Sequence, residues 1–196
     1  MPRKFYFISH PNVAIDPSIP VPDWPLSETG RARMRAGLTQ PWVPEITSIF
    51  CSYERKAIDG AEILGKHLSL PITRRQDLGE NDRSATGFLS PAEFEAVATE
   101  FFSHPNESVR GWERALDAQE RILRAIQAIA STEPPQGAIA VVSHGAVGTL
   151  LHCALAGNPI SRRWDQPANG GGNYFAFELE PSRVLGWWSA IDASAA

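Results

Sequence analysis

Apolar positions change their spacing several times along the chain, and each change predicts an element. Lys4 to Ser9 (KFYFIS) is an unbroken apolar and aromatic run ending on polar residues, the pattern of a buried strand. Pro11 to Pro25 is proline-rich. Proline lacks an N–H and disfavours helix in the residue before it, so this stretch reads as an irregular loop. Ser27 caps a helix that opens at Ser27-Glu28-Thr29-Gly30 and reaches about Leu38. Ile46 to Cys51 reads as a second strand. A helix from about Glu54 to His67 follows, with Ala57, Ala61 and Leu64 on one face. Pro71 to Arg74 predicts a short edge strand and Asp77 to Phe88 a polar loop. Ser90-Pro91-Ala92-Glu93 carries an N-cap, a proline in the first turn and a capping-box glutamate.

In the second half, Trp112, Leu116, Ile122, Ile126 and Ile129 suit one long amphipathic helix from about Val109 to Ser131, ended by Glu133 to Gly137. Ala138 to Val142 (AIAVV) has the composition of a buried parallel strand. Ser143-His144-Gly145 then turns into a helix of small residues, Ala146 to Ala156. Asn173 to Leu179 and Val184 to Ala190 are the last strands, and Asn169 to Asn173 (NGGGN) reads as a flexible turn before the first of them, with Asn173 a candidate to approach the crevice. Alternating strands and helices imply a three-layer α/β/α sandwich with a mostly parallel central sheet. No repeat or long linker divides the chain, so residues 1–196 read as one domain with a cap-like insertion at about 77–108.

With 196 residues, 43% hydrophobic, the chain can bury one sizeable core. A net charge of −4 without a Lys/Arg block gives no reason to expect nucleic acid or an anionic membrane as partner. Cys51 and Cys153 sit in apolar runs and read as buried free thiols. The first ten residues hold too short an apolar run for a signal peptide, and no stretch approaches 18 apolar residues, so a soluble, cytoplasmic setting is expected. No metal-ligand spacing, phosphate-loop or dinucleotide fingerprint occurs, and neither metal nor cofactor is expected. The absence of Gly-x-Ser-x-Gly argues against a serine hydrolase.

Candidate chemistry collects at the carboxyl ends of three strands: Ser9-His10, Ser52 to Lys56, and Ser143-His144-Gly145. Ligands of open α/β sheets bind there. Gly145 and the helix start after it offer free N–H groups to an anion. Taken alone, Ser-His-Gly is equally the signature of a helix-capping histidine, Glu80 reads as a solvated loop carboxylate, and Lys56 as a surface lysine. His67, His104 and His152 have no partner pattern and read as structural.

The order of these segments resembles the histidine phosphatase (phosphoglycerate-mutase-like) superfamily over nearly the whole chain. Its strand–Arg-His-Gly corresponds to FIS-His10-Pro11 and its Leu-x-x-x-Gly helix to Leu26 to Gly30. Its Ser-x-x-x-Arg-Ala segment corresponds to Ser52 to Ala57, its loop Leu-x-Glu to Leu78-Gly79-Glu80, its Glu-Ser and later Arg to Glu107-Ser108 and Arg121, and its final His-Gly to His144-Gly145. The resemblance implies a metal-independent phosphomonoesterase. His10 would be the nucleophile that carries a phosphohistidine, His144 a phosphoryl ligand and Glu80 the acid for the leaving group. Its partner would be a small phosphorylated molecule, with phosphate or sulfate able to occupy the site. Oligomeric state is open.

The chain departs from the family where charge matters. Ser9 stands in place of the first arginine and Pro11 in place of glycine. The second arginine aligns with Lys56, a register that also aligns Ala57, Ala61 and Glu62. Arg55 is the competing choice, about 100° away around the helix. Lysine keeps the charge and loses the bidentate fork. Arg83, three residues after Glu80, is the candidate replacement guanidinium, ahead of Arg74 and Arg75. Ser9, Lys56, Arg83, His144 and Gly145 form the expected phosphate-binding set. Two other functions stay open: a non-catalytic member that binds phosphate, a phospholigand or a protein partner, and a phosphomutase.

Overall fold

A computed structural model describes residues 2–134 and 136–193. The chain is built on a seven-stranded sheet. Its strands are β1 (Phe5–Ser9), β2 (Ile46–Cys51), β3 (Ile72–Arg74), β4 (Ala138–Ser143), β5 (Asn173–Leu179), β6 (Ser182–Val184) and β7 (Ser189–Ala190). The spatial order is β3-β2-β4-β1-β5-β6, with β7 also on β5. The four strands from β3 to β1 are parallel, whereas β5 runs antiparallel to β1 and pairs antiparallel with β6 and β7.

Strand periodicity sends alternate residues to opposite faces. Phe5 and Phe7 enter one core with Ile139 and Val141, beneath α3 (Pro91–Ser103), α4 (Ala115–Thr132) and α5 (Gly145–Leu155). Tyr6 and Ile8 enter the other with Ala140 and Val142, beneath α1 (Glu28–Ala36) and α2 (Arg55–Leu68). Both faces are covered, which is why β1 and β4 read as continuous apolar runs. Helix α5 needs small residues: a Cβ at Gly148 would lie 2.5 Å from Phe7 Cε1. The N-caps fall where expected. Ser27 Oγ accepts from Gly30 N, and Ser90 with Glu93 forms the capping box of α3. Cys51 and Cys153 are buried free thiols.

Two elements differ from expectation. The long helix begins at Ala115 instead of Val109. Arg110 and Gly111 have φ of 49° and 81°, outside the helical region, so Val109–Gly111 forms a separate 3-10 turn. Trp112 still fills the core from this connection, and the buried stripe of α4 is Ala115, Ala118, Ile122, Ala125, Ile126 and Ile129, with Leu116 half-buried. Second, the strand expected over 184–190 is broken into β6 and β7, with Gly186 at φ 151° between them. Among the described residues no helix is long and apolar enough to cross a membrane.

Register fixes the site. Ser9 pairs with Ser143 and Cys51 with Val142, so β1, β2 and β4 end side by side and deliver His10, Ser52 and His144 to one edge of the sheet.

Candidate active site

His10 is held by its backbone from two sides. Its N–H donates to Ser143 O at 3.0 Å, and its carbonyl accepts from Gly172 N at 3.0 Å. The second contact explains the run of three glycines. Gly170, Gly171 and Gly172 all have positive φ, and a Cβ at Gly171 would stand 2.3 Å from His10 O. The NGGGN turn is therefore a close-packed support under His10. The ring of His10 faces that of His144 edge to face, with centroids 5.2 Å apart. His10 Nδ1 lies 2.9 Å from Pro11 O. A carbonyl only accepts, so Nδ1 carries the proton and Nε2 keeps its lone pair. Burial, then the positive charge of Lys56, lowers the His10 pKa to about 4, which keeps the ring neutral near neutral pH.

His144 is fully buried at the N-cap of α5, and burial pushes its pKa well below the ordinary histidine value. Its Nε2 lies 2.7 Å from Ser52 Oγ and 3.2 Å from Glu54 Oε1. A neutral ring facing a carboxylate puts its single proton on Nε2, leaving Nδ1, which has no partner among the described residues, as the bare nitrogen.

Glu80 sits over the start of α5. Its carboxylate accepts from Val147 N at 3.1 Å, Ala146 N at 3.3 Å and Asn81 N at 3.2 Å. Burial raises its pKa against the pull of Arg83, with Glu54 adding to the rise. Arg121 anchors this loop from α4: its guanidinium donates to the carbonyls of Asp77, Gly79 and Glu80 and is paired with Glu113. Arg83 stacks over Phe94 at 4.9 Å, and its charge reaches His10, His144 and Glu80. Arg74 and Arg75 turn elsewhere, to Glu62 and Asp77.

The register choice between Lys56 and Arg55 is visible in their burial. The Lys56 side chain is 3% exposed, whereas that of Arg55 is 54% exposed and pairs with Asp59. Lys56 Nζ donates to Val21 O at 3.0 Å and to Glu54. Glu54 also accepts from Glu80 N at 2.9 Å. Burial opposes ionisation of Glu54, but His144 and Lys56 together with the Lys56 and Glu80 hydrogen bonds outweigh it and hold the carboxyl well below its ordinary range.

Ser9 belongs to a neutral cluster. Its hydroxyl lies 2.5 Å from Gln166 Oε1 and accepts from Asn173 N at 3.0 Å. Asn173 Nδ2 donates to the same Gln166 oxygen at 2.9 Å. A Cβ at Gly145 would stand 2.2 Å from Gln166 Nε2, so Gly145 lets the Gln166 amide lie against the start of α5. The sequence reading assigned no role to Glu54, Gln166 or the glycine support. Only the three consecutive glycines carried a signal.

Trp24 of the proline-rich loop is buried and meets Phe88 edge to face at 5.6 Å.

The same fold occurs in solved structures. A mycobacterial glucosyl-3-phosphoglycerate phosphatase in complex with inorganic phosphate is 21% identical, with a TM-score of 0.81 over 98% of this chain and 100% of that one. Bacillus stearothermophilus YhfR is 24% identical, with a TM-score of 0.74 over 96% and 99%. A putative α-ribazole-5'-P phosphatase from Escherichia coli is 16% identical, with a TM-score of 0.71 over 100% and 98%. These likenesses speak for the fold. No curated protein matches the chain. The family model of the histidine phosphatase superfamily, branch 1, matches residues 17–187, and the chain belongs to that superfamily.

Proposed function

We propose that this protein is a metal-independent phosphomonoesterase that passes a phosphoryl group through His10. One observation carries the reading: His10 faces His144 at 5.2 Å with its Nδ1 against Pro11 O, which leaves a neutral Nε2 lone pair at the strand-end crevice. A neutral imidazole is a competent nucleophile near pH 7. His10 Nε2 bonds to phosphorus as the bond to the leaving oxygen breaks, and Glu80, with its raised pKa, gives that oxygen a proton. Water then attacks the phosphohistidine, returns a proton to Glu80 and releases phosphate. His144 Nε2, Lys56 and Arg83 face the charge that spreads over the phosphoryl oxygens. The substrate class is a small phosphorylated molecule, and related folds include a mycobacterial glucosyl-3-phosphoglycerate phosphatase and a putative α-ribazole-5'-P phosphatase.

A second reading draws on the pairing of Lys56 with Glu54 and the neutral Ser9: a member that binds without turnover. Hydrolysis of a generic aryl phosphate without added metal separates the two. Turnover in the wild type that falls to background in His10→Ala, by about 10³-fold or more, is expected. Equal rates in both proteins would sink the phosphohistidine route and leave the binding reading.

A further inference from the structure

Two of the groups proposed to receive a phosphoryl group, His144 Nε2 and Lys56, already hold an anion, and it belongs to the chain. Glu54 Oε1 lies 3.2 Å from His144 Nε2 and 2.9 Å from Glu80 N, while Oε2 accepts from Lys56 Nζ. We infer that the Glu54 carboxylate is a built-in competitor for the phosphoryl position, so that anion binding requires this side chain to leave its three donors. The inference rests on the proposal that the crevice is a phosphoryl site.

Three features point to competition instead of a structural ion pair alone. First, the partners come from separate places, the N-cap of α5, helix α2 and the loop at 79–81, and they converge as anion donors do: an imidazole N–H, an ammonium and a backbone N–H. Second, Glu54 acts on the nucleophile itself, because its charge reaches His10. Third, it has somewhere to go. Glu54 is the N-cap residue of α2 but makes no side-chain cap bond, its backbone is extended, and its side chain is 15% exposed. A rotation about its own side-chain bonds would carry the carboxylate toward water without unwinding α2. A phosphate that entered with Glu54 in place would meet a like charge within a few ångströms, in a crevice where screening is weak. Glu54 thereby sets which anions enter: it rejects weak ones and admits those whose other contacts offset its displacement.

The test is calorimetric titration of the full chain with inorganic phosphate, wild type against Glu54→Gln, which keeps the shape and removes the charge. Phosphate should bind Glu54→Gln roughly ten- to a hundredfold more tightly. Equal or weaker binding, or no binding by either protein, would overturn the inference. Should Glu54→Gln fail to fold, wild-type crystals soaked in phosphate carry the test. Phosphate in the crevice with Glu54 turned to solvent supports the inference. Phosphate in the crevice with Glu54 still on Lys56 and His144, or no phosphate at all, overturns it. Failure of the underlying function is read separately. His10-dependent turnover without tighter binding by Glu54→Gln removes only this inference, and tighter binding without such turnover removes only the phosphatase proposal.

Discussion

The two walls of the crevice solve the same problem differently. On the α2 side, Lys56, Glu54 and His144 form a charged set in which each group has an ionic or hydrogen-bonded partner. On the β5 side, Ser9, Gln166 and Asn173 form a neutral set closed by amides and a hydroxyl. One wall therefore has a cation already engaged, and the other a serine that presents no charge. If the crevice receives a phosphoryl group as proposed, its attraction for that group is offset on one wall by the Glu54 pairing, and the other wall adds no charge.

Breaking the charged wall should cost most. Lys56→Met leaves a mostly buried carboxylate without its ammonium partner, and urea denaturation at neutral pH should show a loss of about 3 kcal/mol. The pH dependence follows from Glu54, whose folded-state pKa lies below its ordinary 4.5. Its contribution is present above pH 4.5 and fades as pH falls below it, so the gap between wild type and Lys56→Met should narrow in acid. A gap that is constant with pH would assign the loss to packing.

The neutral wall should be less sensitive. Ser9→Ala leaves the buried N–H of Asn173 without its acceptor, for an expected loss of about 1–3 kcal/mol that does not change between pH 4 and 8. A pH-dependent loss would mean that Ser9 communicates with the ionised groups across the crevice.

Glu80 lies between the walls, and its variant is read in the rate. An acid must be protonated to act, and burial raises this carboxyl above its ordinary 4.5. His10 stays neutral down to about pH 4. Activity should therefore rise as pH increases through about 4, then fall as pH passes the raised value of Glu80. Glu80→Gln should lower kcat/KM and flatten the alkaline fall. A fall that persists in Glu80→Gln would assign it to another group.

Much of this arrangement is legible in the sequence because it rests on local pattern. The apolar runs before His10 and His144 are strands whose ends must carry those residues, and the small-residue stretch after His144 reflects the close approach of α5 to Phe7. Helical geometry separates Lys56 from Arg55 and puts the lysine inside. The pairings that set the charge balance are not legible in the same way. Glu54 stands between a strand and a helix, where no periodicity says whether a side chain points in or out. Gln166 meets Ser9 across 157 positions of sequence, and the three glycines give no sign of His10 as their neighbour until the sheet brings β1 and β5 together. The misplaced start of α4 has the opposite origin. Apolar spacing continues through Trp112, but Arg110 and Gly111 adopt left-handed backbone that apolar spacing cannot register.

The most direct test of the central claim is to trap the intermediate. Wild-type protein is mixed with a ³²P-labelled aryl phosphate at mildly acidic pH, quenched rapidly in alkali and digested, and the label is mapped. The expected result is base-stable, acid-labile label on the peptide containing His10, appearing before product release and absent from His10→Ala. Turnover that proceeds with no label on His10, or with label on another residue, would contradict it.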